Sequence, residues 1–107
     1  MAYSLEQKMP KKKLVEFCKR NRIRKLSVFG SALRDELQPD SNIDLLVEFE
    51  EGHTPGLFSI VRMEMELAEV LGRKVDLQTP EDLSQYFRDE VIRNAKIQYQ
   101  AQDGVSA

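Results

Sequence analysis

Three short stretches of this chain hold the residue types that handle phosphates and cations. Gly30-Ser31 ends one alternating apolar run, Asn42 and Asp44 flank Ile43 at the start of a second, and Asp76 lies in a third. A glycine at a strand end lets the following backbone come close to a ligand, because no Cβ intervenes. A serine after it adds a hydroxyl and an N–H, and a helix start there adds the positive end of a dipole, so the pair could cradle phosphates. Alternate strand positions share a face, which puts residues 42 and 44 side by side, about 7 Å apart at the backbone. If Asp76 occupies an adjacent strand and faces the same way, its carboxylate joins them, and carboxylates gathered in this manner hold Mg²⁺ against phosphates. Each feature alone has an ordinary reading. Any tight turn can use Gly-Ser, a strand-end Asp commonly bonds local N–H groups, and Arg34 is more readily a solvated surface arginine than a phosphate ligand.

Bringing these residues together requires strands and helices to support them. Leu14, Val15, Phe17 and Cys18 make an apolar stripe after Pro10, predicting a helix over 10–21. Ile23 to Phe29 reads as a strand broken by Gly30-Ser31, residues 32–37 as a short helix, and Gln38-Pro39-Asp40-Ser41 as a turn. Ile43 to Phe49 is apolar on one whole face and partly on the other, as expected of a central strand under helices. Leu57, Ile60, Met63, Leu67 and Leu71 line one side of a helix over Leu57–Leu71, with Gly72 as its C-cap. Arg73 to Gln78 is a short strand with Val75 and Leu77 on one face and Asp76 on the other. Thr79 and Pro80 then open a last helix, which Leu83, Phe87, Val91 and Ala95 carry to about Gln100. The order α-β-α-β-α-β-α predicts an α+β (mixed α/β) fold: a small mixed sheet of about three strands with helices packed on it.

At 107 residues the chain is read as a single domain, 1–107, with a frayed tail at about 103–107. No apolar run reaches membrane-spanning length, and the leading residues MAYSLEQKMPKKK lack a signal-peptide core. The single cysteine excludes an internal disulfide framework or a cysteine-based zinc site, so Cys18 is read as a small buried hydrophobe; a cytoplasmic protein is expected. His53 sits in a Gly/Pro loop with no partner nearby in sequence. The net charge of −2 hides an asymmetry. Residues 1–27 carry nine Lys/Arg against two Glu, a net +7, and residues 28–107 a net −9. The basic segment reads as a solvated helix face, and because the acidic remainder would repel a phosphate backbone, no direct nucleic-acid binding is expected.

Gly30-Ser31, ten intervening residues and then Asn42-Ile43-Asp44 resemble the G-S-x10-D-x-D signature of the DNA polymerase β-type nucleotidyltransferase superfamily. The resemblance is strongest to the minimal nucleotidyltransferases, the MNT or MntA-like antitoxins. It extends through LLVEFE and GLFSIVRMEMELAEVLGRKVDLQTPEDL into the last predicted helix. It implies a polymerase β-like core that binds ATP with Mg²⁺ and transfers AMP to a tyrosine of a partner HEPN RNase toxin, silencing it. By the same resemblance Gly30 and Ser31 would contact the β,γ-phosphates, and Asp44 would ligate metal. Asp76 would ligate metal or take the attacking hydroxyl's proton, and Arg34 would reach a phosphate. Asn42 departs from the pattern, since the family usually carries Asp there; an amide offers a neutral oxygen and removes one charge from the cage, predicting weakened metal binding and slow transfer. Two further readings remain beside the enzyme. One is a degenerate antitoxin that neutralises its toxin by contact, and the other a nucleotidyltransferase acting on a small molecule.

Overall fold

The computed structural model describes residues 5–30 and 41–101. In chain order the elements are α1 (Lys11–Arg20), β1 (Ile23–Phe29), β2 (Ile43–Phe49), α2 (Leu57–Leu71), β3 (Val75–Gln78), α3 (Arg88–Asn94) and β4 (Lys96–Gln100), with 3-10 turns at Leu5–Gln7 and Pro80–Asp82. The strands form one mixed sheet in the order β3-β2-β1-β4. β1 pairs antiparallel with both β2 and β4, whereas β3 runs parallel to β2. Parallel neighbours need a long crossover, and α2 supplies it. Residues 31–40 and 102–107 lie outside the described residues, and with them Ser31, Arg34, the helix expected over 32–37 and the tail expected at 103–107.

The core occupies one face of the sheet. Leu26 and Val28 of β1, Ile43, Leu45 and Val47 of β2, and Val75 and Leu77 of β3 meet Leu14 and Phe17 of α1 and Met63, Leu67 and Leu71 of α2. Cys18 joins this cluster, and burial pushes its thiol up to about 12, which leaves it a small hydrophobe. Ile23 and Leu26 both point inward although they are three residues apart, because the β1–β2 register shifts between Ile23 and Lys25. A bulge of that kind rotates the strand by one position.

Two expectations about the helices change. Leu57, expected on the buried stripe of α2, is 75% exposed. Fifteen helical residues span about 22 Å and four strand residues about 13 Å, so α2 overhangs the strand it packs on. The last helix does not begin at Pro80 or reach Gln100. A single 3-10 turn, Pro80–Asp82, is followed by extended backbone at Leu83 (ψ 146°). The Arg88 side chain holds this break in place, Nε donating to the Pro80 carbonyl at 2.7 Å and Nη2 to that of Leu83 at 3.1 Å. α3 then ends at Asn94 with Ala95 as its cap, and β4 follows as a fourth strand where about three were expected. Ile97 and Tyr99 alternate with Gln98 and Gln100, a period-two pattern, and pairing here satisfies backbone groups on the second edge of β1 that would otherwise lack partners. Among the described residues no helix is long and apolar enough to cross a membrane.

Candidate active site

The face of β2 opposite the core begins with Asn42 and Asp44. Register decides what they meet: Asp44 is paired with Asp76 on β3 and with Phe29 on β1. Partners directly opposite share a face, so the two carboxylates of adjacent strands stand side by side. The Ile43 N–H, donating to the Lys74 carbonyl at 2.9 Å, fixes the register at the strand start. The Asn42 side chain closes the group, Nδ2 donating to Asp76 Oδ2 at 2.9 Å. All three residues are half-buried.

Gly30 ends β1 beside this group at φ 73°, a conformation that side chains disfavour. A Cβ added there would lie 2.5 Å from Asp44 Oδ2. The backbone therefore passes against the Asp44 carboxylate with no room for a Cβ, a contact within the protein that the sequence did not signal. Burial first, and the neighbouring Asp76 charge second, raise the Asp44 carboxyl above the ordinary carboxylate range. Such a pair gains from a cation placed between its members.

Two neighbours escaped the sequence reading. Glu64 Oε2 accepts the Leu77 N–H at 2.7 Å, covering the outer edge of β3 one residue beyond Asp76. Its signal was present: 57, 60, 64, 67 and 71 share heptad spacing, and Glu64 is the single charge at those positions. The second is Arg73, whose Nη1 sits 3.4 Å from the carbonyl of Ser41, the residue before Asn42. Nothing in its spacing marked it.

The structure thus brings Gly30, Asn42, Asp44 and Asp76 together. Cys18 is in the core and His53 is exposed in its loop, so neither takes part. Among the described residues no group of three or more His, Cys, Asp or Glu could hold a metal unaided. Two carboxylates, with substrate phosphates completing the shell, are nevertheless the donor set Mg²⁺ commonly takes. The arrangement sets two oxygen-donor side chains next to a turn whose backbone is open to close approach.

The nucleotidyltransferase domain family model matches residues 11–101. A Methanocaldococcus jannaschii protein assigned to the protein adenylyltransferases is 36% identical over 85 residues, covering 79% of this chain and 89% of its own length. The protein adenylyltransferase MntA of Thermococcus cleftensis is 39% identical over 71 residues, covering 66% and 70%. Among solved structures, a minimal nucleotidyltransferase matches with a TM-score of 0.69 at 35% identity, covering 87% of this chain and 94% of that one. The fold recurs at 20% identity in a toxin–antitoxin crystal structure with AMP-PNP (TM-score 0.69, covering 92% and 79%). It recurs at 19% in a complex of tri-AMPylated Shewanella oneidensis HEPN toxin with an MNT antitoxin (TM-score 0.56, covering 90% and 74%). At these last two identities the likeness is one of fold.

Proposed function

The chain belongs to the nucleotidyltransferase domain family, and we propose that it is an antitoxin that transfers AMP from ATP to a tyrosine of a cognate HEPN RNase toxin. The observation that carries this reading is the in-register Asp44–Asp76 pair beside the Gly30 turn, in a chain whose relatives are named protein adenylyltransferases. In this reading the Gly30-Ser31 backbone receives the β,γ-phosphates, and Arg34 adds a positive charge to them. The attacking tyrosine oxygen forms a bond to the α-phosphorus, the bond from that phosphorus to the bridging oxygen breaks, and pyrophosphate leaves. Asp76 accepts the tyrosine proton. Asp44 and Asp76 would hold Mg²⁺, with Asn42 a weak third donor at most; the ion supplies charge neutralisation on the phosphates.

A second reading rests on Asn42. Its amide faces Asp76 where a third carboxylate would strengthen the cage, which favours an antitoxin acting by contact with little or no transfer. One assay separates the two: the chain is incubated with its HEPN partner, ATP and Mg²⁺, and the partner is weighed by mass spectrometry. AMP-sized additions that vanish in Asp44→Ala are the expected result. Full RNase inhibition with no mass added would replace transfer by binding.

A further inference from the structure

Asn42 is the neutral member of the face it shares with Asp44 and Asp76, and its amide is already engaged. The atom against Asp76 Oδ2 at 2.9 Å must be Nδ2, because the amide oxygen would be repelled by the carboxylate. One oxygen of Asp76 is thus occupied by a proton donor. On the other side, Asp44 Oδ2 lies close against the Gly30 backbone, leaving no space for a Cβ. Phosphoryl-transfer sites that use two cations place them roughly 3.5–4 Å apart and need enough anionic oxygen to bridge and neutralise both. Here two carboxylates are available, one of them with an oxygen already bonded, and the amide N–H directs positive partial charge at the oxygen that a second ion would share.

We infer that the site takes one divalent cation with each nucleotide, held by Asp44 and the oxygen of Asp76 that Asn42 leaves open, and that Asn42 excludes a second. This rests on the nucleotidyltransferase reading above and deepens it. Nucleotide binding, which needs one ion on the phosphates, is retained. Activation of the attacking hydroxyl, which a second ion would assist, falls to Asp76 alone, so transfer is slow because of ion count and not because nucleotide is lost.

Mn²⁺ counted by electron paramagnetic resonance in the presence of a non-hydrolysable ATP analogue tests this without relying on turnover. The wild-type chain is expected to bind one ion per bound nucleotide. Asn42→Asp is expected to double that number and to broaden the spectrum through coupling between neighbouring ions. Asn42→Ala, which removes both amide and charge, is expected to stay at one, with circular dichroism confirming that it is folded. Two ions in the wild type, or a single ion in Asn42→Asp, would overturn the inference while leaving the proposed activity standing. Loss of the single ion in Asn42→Ala would make the amide a ligand and overturn it equally. Failure of the wild type to bind the nucleotide at all would remove the nucleotidyltransferase reading and this inference together.

Discussion

β3 and β4 close the two edges of one sheet under very different constraints. β3 has four residues, with Val75 and Leu77 only 2% and 6% exposed beneath α2, and its outer edge is covered by Glu64. β4 has five residues, none of them fully buried, and pairs with β1 across a register shift at Leu26/Ser27. The edge that carries Asp76 is short, packed on its core face and fixed in register at Asp44. The other edge satisfies the backbone of β1 and little more. Placing a carboxylate against its partner requires its strand to be held to within a fraction of an ångström, and buried neighbours on both sides provide that.

The contrast can be broken most severely at Asp76. Replacing it with Ala should lower AMP transfer about 10²–10⁴-fold, as loss of a proton acceptor and cation ligand does; a rate within tenfold of wild type would move the chemistry elsewhere. Next comes the packing that holds the strand. Leu77→Ala should cost about 2–4 kcal/mol of stability by urea unfolding, the range for emptying a buried leucine site. The electrostatic difference between the edges is smaller. With its carboxyl raised above the ordinary value of 3.8, Asp44 binds a proton more readily folded than unfolded, so its contribution to stability falls as pH rises through that window and stays low above it. Asp44→Asn should therefore melt higher than wild type at neutral pH, while losing transfer, and the advantage should vanish once the pH is below 3.8. Equal melting temperatures at neutral pH would show that burial and the Asp76 charge do not disfavour the ionised Asp44. Least of all should follow at the far edge: Ile97, 47% exposed, changed to Ala should shift stability by about 0.5 kcal/mol or less. A loss there as large as that at Leu77 would make the two edges equivalent.

The sequence made β3 legible and β4 not, for a physical reason. Val75, Asp76 and Leu77 alternate behind Gly72, a C-cap in the left-handed region at φ 72°, so a strand start is marked on both sides. Residues 83–100 offer helical spacing at Leu83, Phe87, Val91 and Ala95, while Ile97 and Tyr99 offer a strand of two apolar positions. The helical pattern is the longer one locally, yet the bare edge of β1, a feature that no local window contains, decides in favour of the strand. The site divides in the same way. That Asn42 and Asp44 share a face follows from strand periodicity alone, whereas the meeting of Asp76 with Asp44 needs the parallel register of β2 and β3. That Asn42 turns its amide toward Asp76 depends on a contact 34 residues away in sequence, and only the fold could supply it.

The Leu77 N–H held by Glu64 makes this arrangement observable without labels. An amide on the outward edge of a strand normally exchanges with solvent as fast as one in a loop, whereas this one is shielded by a carboxylate. Its proton is therefore expected to resonate downfield of its neighbours and to exchange slowly while β3 stays in place. One nuclear magnetic resonance signal, a single residue from Asp76, serves as a built-in gauge of whether the strand is seated.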